Sequence, residues 1–296
     1  MFVNIFSKYN LLFIQKIDNE IYYDIIDKIN IRKCEDMVNN ERIVIKVGTS
    51  TLTYSTGKAN IRRMQSLVRT LADLHNSGCE IVLVTSGAIG VGVGKLGLKS
   101  RPETTPERQA AACIGQCELM FMYDKFFGEL GCTVGQLLIT KSDIENDERR
   151  TNLVNAFEHI FKYGAIPIIN ENDSVAVDEI VYGDNDNLSA QVAKLIKADK
   201  LIILTDTDGL FDKNPMEYED AQLIPVIREI NDVIEALAGG SGTNRGTGGM
   251  ITKIHAAKEA TASHIDTYII NGENPDDIYR LIEGHRVGTH FIKAEG

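Results

Sequence analysis

Residues 167–190 read PIINENDSVAVDEIVYGDNDNLSA. Ile166 to Ile169 is a short apolar run ending in Asn170-Glu171-Asn172-Asp173, the pattern of a buried strand with a polar tip. A second apolar alternation, Ile180 to Tyr182, ends at Gly183 and is followed by Asp184-Asn185-Asp186-Asn187. Leu188, Val192, Leu195 and Ile196 then fall at helical spacing, with Asn187 or Asp186 placed to cap the helix. Two strand ends thus deliver four acids (Glu171, Asp173, Asp184, Asp186) and as many amides to one place, and open α/β sheets bind ligands at such ends. Asn, Asp and Gly also make solvated turns for backbone reasons alone. The density of carboxylates and amides in both loops favours a site.

The same texture continues on either side. Arg42 to Val47 (RIVIKV), Ile81 to Val84, Thr133 to Ile139, Leu201 to Leu204 and Thr267 to Ile270 read as strands, and Val287 to Ile292 as an edge strand. Ile61, Met64, Leu67, Val68, Leu71 and Leu74 make an amphipathic helix closed by Gly78. Pro106 at a first helical position, with Thr105 as cap, opens a helix to about Leu130. Further helices are predicted over about 147–163, 233–237, 250–263 and 275–282. Strands apolar on both faces, alternating with helices, predict an α/β fold: a three-layer α/β/α sandwich around a mostly parallel sheet. Residues 41–296 show one composition regime and no internal repeat, and read as a single catalytic domain.

Residues 1–40 differ, with no Gly or Pro and with Ile14, Ile17, Ile21, Ile25 and Ile29 along one helical face. They read as an N-terminal extension: a docking helix, a disordered segment or translated leader, with Met37 as a candidate start. Leu11 to Ile14 is too short for a signal-peptide core.

Composition narrows the class. The chain has 296 residues, 43% hydrophobic and 25% charged, as in an ordinary globular protein. A net charge of −11 argues against nucleic acid as a partner. No apolar run reaches membrane-spanning length. Five cysteines without framework spacing suit a reducing, cytoplasmic setting. Cys113 and Cys117 lie one helical turn apart with no second pair to complete a zinc site, so both are expected in the core.

Several signatures fail. Gly92-x-Gly94-x-x-Gly97 matches a dinucleotide pattern but starts well after its strand. Gly94-Lys95 is followed by Leu96 and so is no P-loop, and Ser86 lacks a nucleophile elbow. What remains is a set of glycine-flanked strand ends. Lys46-Val47-Gly48 puts a cation beside backbone N–H groups, and a lysine in a strand buried on both faces needs an anion unless it sits at an exposed edge. Ser86-Gly87 alone reads as an ordinary turn. Gly246-Thr247-Gly248-Gly249 precedes a helix carrying Lys253, a phosphate-type arrangement.

From about Glu41 to Lys293 the chain resembles the amino acid kinase family. The motifs are IVIKVGTSTL (43–52), VTSGAIGVG (84–92), PIINENDSV (167–175), GDNDNLSA (183–190), LTDTDGLF (204–211) and GTGGMITK (246–253), in the family's order. NENDSV followed by GDNDNLSA is particular to the branch that phosphorylates the side-chain carboxylate of L-glutamate, the first step of proline biosynthesis. The first forty residues have no counterpart in that pattern, and the expectation is a member without the PUA domain that many carry. The resemblance implies Lys46 and Lys253 as catalytic cations and Asp186 as the carboxylate organising them. It implies Ser86, Asp173 and Asn185 on glutamate. For ATP it implies Lys46, Gly48, Thr205, Asp206 and the run Thr247, Gly248, Gly249, Met250, Ile251, Thr252 and Lys253. Mg²⁺ would ride on the ATP phosphates without a dedicated protein cage, and the part of Asp184 stays open. L-Proline as feedback inhibitor and a homo-oligomer are implied by the family only. Another small-acid kinase of the same fold, a non-catalytic sensor of ATP or an amino acid, and a scaffold role for residues 1–40 remain alternatives.

Overall fold

A computed structural model of the chain describes residues 41–54, 58–176, 185–239 and 249–295. The N-terminal extension, the alternation at 180–182, Gly183, Asp184, Thr247 and Gly248 therefore lie outside the described residues.

Each strand of the first half feeds a helix. β1 (Arg42–Val47) leads through a single turn, α1 (Thr49–Leu52), to α2 (Ile61–Asn76). β2 (Glu80–Val84) leads to α3 (Ala88–Leu96) and α4 (Thr105–Glu129), and β3 (Thr133–Ile139) to α5 (Lys141–Glu145) and α6 (Asp147–Lys162). Then come β4 (Ala165–Glu171), α7 (Asp186–Leu195) and β5 (Lys200–Thr205). The chain closes with β6 (Val226–Ile227), α8 (Asp232–Gly239), α9 (Met250–Ala262), β7 (Asp266–Asn271), α10 (Asp277–Ile282) and β8 (Thr289–Phe291).

The eight strands form one sheet in the order β3-β4-β2-β1-β5-β7-β8-β6. Pairing is parallel from β3 through β7; β8 runs antiparallel to β7 and carries β6 parallel to itself. β8 is therefore not the edge strand its sequence suggests, because the two residues of β6, too short to register as a periodic run, lie outside it.

Strand parity sorts the two cores. Ile43, Ile45 and Val47 pack with Ile81, Leu83, Ile202 and Leu204 beneath α2, α4 and α10. Val44 packs with Val82, Val84, Leu201 and Ile203 beneath α6, α7 and α9. These are the three layers expected from the sequence. Lys46 shares the parity of Val44, so it projects toward the layer that holds α7 and α9.

Three local readings are corrected. The cap of α4 is Thr104, not Thr105: the Glu107 carboxylate accepts from both the backbone and the hydroxyl of Thr104, so the capping box sets the start. The cap of α7 is Asn185, not Asp186 or Asn187. Cys113 and Cys117 are exposed, because α4 buries the face carrying Ala111, Ala112, Gly115 and Leu119.

The first glycine of the rejected dinucleotide pattern serves packing, together with Gly115. A Cβ on Gly92 of α3 would lie 1.9 Å from the Ala111 carbonyl oxygen, and one on Gly115 of α4 would lie 1.8 Å from that of Ala88. The two helices therefore touch backbone to backbone.

Candidate active site

At the carboxyl ends of β1, β2, β4 and β5 the chain gathers its buried charges. Asp186, first residue of α7, is wholly buried, while Lys46 and Lys253 are 3% and 6% exposed. Lys46 Nζ lies 2.6 Å from Asp186 Oδ1, and Lys253 Nζ lies 3.0 Å from Oδ2. One carboxylate thus joins two ammonium groups delivered by β1 and by the first turns of α9. The Thr252 hydroxyl reaches Asp186 Oδ2 at 2.9 Å and the Gly249 carbonyl at 2.8 Å, pinning the start of α9 to the same carboxylate. Among the described residues two cations share this one carboxylate, an arrangement suited to meeting the anionic groups of a ligand.

The backbone around these groups is open. A Cβ on Gly48 would stand 3.8 Å from Lys46 Nζ, so glycine keeps the approach to that ammonium clear. Gly87, at φ +96°, starts α3, and Gly249 starts α9, both without a side-chain cap, as does Asn185 for α7. α2 and α6, by contrast, carry side-chain caps: Asn60 accepts from Arg63 N–H, and Asn146 from Arg149 N–H. Uncapped first turns present N–H groups that an anion can satisfy.

Beside the cations lies an amide network. Asn185 Nδ2 donates to the Thr85 carbonyl at 2.7 Å, to Ser86 Oγ at 3.3 Å and to Asn170 Oδ1 at 2.7 Å. Asn170 in turn donates to Gln116 Oε1 at 2.7 Å. Asn185 Oδ1 is buried and has no hydrogen-bond partner among the described residues, and the same holds for Asp173 Oδ1. A buried carboxylate oxygen without a donor suits a cationic group of a ligand.

Set against this geometry, a family model described as the amino acid kinase family matches residues 41–271. The chain belongs to the amino acid kinase family. Among its relatives, the "Glutamate 5-kinase" of Clostridium perfringens is 50% identical over 87% of this chain and 97% of its own length. The "Glutamate 5-kinase" of Moorella thermoacetica is 52% identical over 86% of this chain but 67% of its own, longer sequence. A solved isopentenyl phosphate kinase substrate complex superimposes with a TM-score of 0.60 over 85% of this chain and 99% of its own, at 20% identity, and so speaks to the fold alone.

For a member of the amino acid kinase family the remaining features have a clear sense. Burial pushes the Asp173 carboxyl up to about 6, against a smaller opposing pull from the positive charge of Arg101. A ligand ammonium would replace the missing solvation and return it to the ionised form. Thr205, at the end of β5, is buried and donates to Asp206 Oδ1 at 3.2 Å, while Asp206 faces solvent. Met250 and Ile251 stand half-buried in the first turn of α9. Among the described residues no three His, Cys, Asp or Glu side chains come together as a metal site. The donors present suit phosphate oxygens.

The structure thus brings together Lys46, Asp186, Lys253 and Thr252, and places Ser86 and Asn185 in one hydrogen-bonded set. Sequence reasoning missed Gln116 and Thr85 as members of that set, and gave Asn170 no role beyond its loop. Asn170 stood in a stretch already dense in amides. Gln116, inside a helix of mixed polarity, carried no such signal.

Proposed function

We propose that this chain transfers the γ-phosphoryl group of ATP to the side-chain carboxylate of L-glutamate, giving L-glutamyl 5-phosphate and ADP. The observation that carries the reading is the pair of ammonium groups, Lys46 and Lys253, held on one buried carboxylate at the strand ends. Half of the aligned residues are shared with relatives named glutamate 5-kinase, and those relatives give the acceptor.

A glutamate side chain has a reference pKa of about 4.3 and is already ionised at neutral pH, so no general base is needed. A carboxylate oxygen attacks the γ-phosphorus, the bond to the bridging oxygen breaks, and ADP leaves with that electron pair. The obstacle is anion meeting anion, and the protein's part is positioning and charge neutralisation. Lys46 and Lys253 neutralise, and Asp186 with Thr252 holds them in place. Asp173 receives the α-ammonium of glutamate, with Ser86 and Asn185 beside it. Gly48, Thr205, Asp206 and the run from Thr247 to Lys253 contact the nucleotide. Mg²⁺, carried on the ATP phosphates, would offset their charge.

We also read residues 41–296 as the catalytic domain and residues 1–40 as an N-terminal extension. A cytoplasmic location, a homo-oligomer and L-proline as feedback inhibitor complete the proposal; no helix among the described residues is long and apolar enough to cross a membrane.

The test is a Mg-ATP assay with hydroxylamine, which traps an acyl phosphate as a hydroxamate. L-Glutamate is run beside L-aspartate, N-acetyl-L-glutamate and UMP, with ADP release followed in parallel. Hydroxamate from glutamate alone is expected. Turnover with another acceptor and none with glutamate would overturn the substrate assignment.

A further inference from the structure

Between α5, α6, α7 and α9 lies a cleft of about 540 Å³, within the size range of small-ligand sites and lined by none of the proposed catalytic or substrate residues. Its walls carry Arg150 and Lys194 against a single Glu259, with Ile144, Val154 and Leu195 forming an aliphatic floor. Thr151, Asn155 and Gln191 add neutral hydrogen-bonding groups. The lining therefore has one positive charge in excess, an arginine fork suited to carboxylate or phosphate oxygens, and an apolar patch for a short carbon chain. Arg150 is paired with Asp147, but that carboxylate is 90% exposed, and an exposed pair of this kind yields readily to a better-placed anion.

Two features connect the cleft to the rest of the molecule. α6, which walls the cleft, packs Phe157, Leu153, Ile160 and Phe161 onto the same core as α7 and α9. Gln191, Lys194 and Leu195 on α7 and Glu259 on α9 belong to the later turns of the two helices that carry catalytic groups. Lys194 lies about 12 Å along α7 from Asp186, and Glu259 about 9 Å along α9 from Lys253, at 1.5 Å per residue. A ligand wedged there bears on both helices at once.

We propose that this cleft is an effector site for a small organic anion, a carboxylate or phosphate monoester with a short aliphatic part, whose binding shifts α7 and α9 and so the Asp186 clamp. The coupling to turnover rests on the proposed phosphoryl transfer; the binding itself does not.

The experiment is calorimetric titration of the full chain with butyrate and, separately, glycerol 3-phosphate, with inorganic phosphate as the control lacking an aliphatic part. It is run on the wild type, on Lys46→Ala to disable the strand-end anion site, and on the double variant Arg150→Ala/Lys194→Ala. Binding of at least one organic probe is expected, unchanged in Lys46→Ala and weakened at least ~10-fold in the double variant. The variant Val154→Trp, which fills the cleft without touching a charge, should also lose it. The probe that binds should change the glutamate KM or kcat of the wild type by at least about twofold and leave the double variant unaffected. No heat from either organic probe up to about 10 mM, or binding lost in Lys46→Ala but kept in the double variant, overturns the site. Cleft binding without any change in glutamate turnover overturns the coupling. An enzyme that ignores glutamate yet binds the probe at the cleft would overturn the proposed reaction and leave the site standing.

Discussion

At the amino end of β1, Arg42 is surrounded by acceptors from its own protein. Its guanidinium lies 2.7 Å from Glu80 and 3.3 Å from Glu158, donates to the Ile196 carbonyl and sits 4.4 Å above the Phe161 ring. Four residues on, at the carboxyl end and on the same face, Lys46 shares one carboxylate with Lys253. The amino edge repeats its pattern at β7, where Asp266 meets both His290, at 3.0 Å, and Lys293, at 3.3 Å. At the carboxyl edge Asp173 keeps a buried oxygen without a donor among the described residues. At one edge Arg42 and Asp266 meet partners from the fold itself. At the other, two buried ammonium groups share one carboxylate and a buried Asp173 oxygen has no donor among the described residues, and that arrangement, not the number of ion pairs, marks the working edge.

Mutations at the two edges should therefore separate activity from stability. Lys46→Ala or Lys253→Ala is expected to lower kcat by at least ~10²-fold in a protein that still folds, the scale for losing one preorganised electrostatic group. Near-normal kcat in folded Lys46→Ala protein would erase the distinction between the edges. Asp186→Ala should do both kinds of damage. It leaves two ammonium groups buried without their shared partner, at a cost of about 3–5 kcal/mol measurable by urea denaturation, and abolishes turnover. Asp173→Asn should raise the glutamate KM more than it changes kcat. In the wild type that KM should climb as pH falls through about 6, because a protonated Asp173 no longer attracts the ammonium, and the climb should vanish in the variant.

Stability against pH sharpens the contrast further. The Asp173 carboxyl binds its proton more tightly folded than unfolded, so its contribution to the ligand-free protein improves as pH falls from about 6 toward 4. Asp266 behaves oppositely. Burial disfavours its charge, but the bonds from His290 and the Lys293 N–H outweigh this and hold it down to about 2. Its contribution is present above about pH 4 and fades as pH falls toward 2. Asp266→Asn should remove that acid limb from the denaturation profile. Arg42→Ala is the smallest expected effect on function: a loss of stability with kcat unchanged. A kcat loss matching that of Lys46→Ala would show that the amino edge takes part in catalysis after all.

Much of the sheet was legible because parallel strands buried on both faces read as unbroken apolar runs, as RIVIKV and LIIL do. The lysine inside the first of these was legible for the same reason, since it interrupts a run that has no room for an unpaired charge. α3 was not, because Gly90, Gly92 and Gly94 argue against a helix, and it is contact with α4 that makes Gly92 an asset. Cys113 and Cys117 misled because α4 is apolar on its outer face too, with Phe121 exposed beside them. The triad of charges was assembled in advance through family motifs. Asp186 and Lys46 are widely separated in sequence, and no spacing rule links them. The amide relay through Gln116 had neither a motif nor a period to reveal it.

The strand order also bears on how the chain is made. β1 lies between β2 and β5, and β5 leaves the ribosome about 160 residues after its partner. At typical elongation rates of 5–20 residues per second, one flank of the central strand waits roughly 10–30 s for its neighbour. Throughout that interval an apolar strand edge is open to pairing with other nascent chains. The clamp on Lys46 closes later still, once Lys253 has been synthesised, so a prematurely terminated product would carry the aggregation hazard of the sheet without its chemistry.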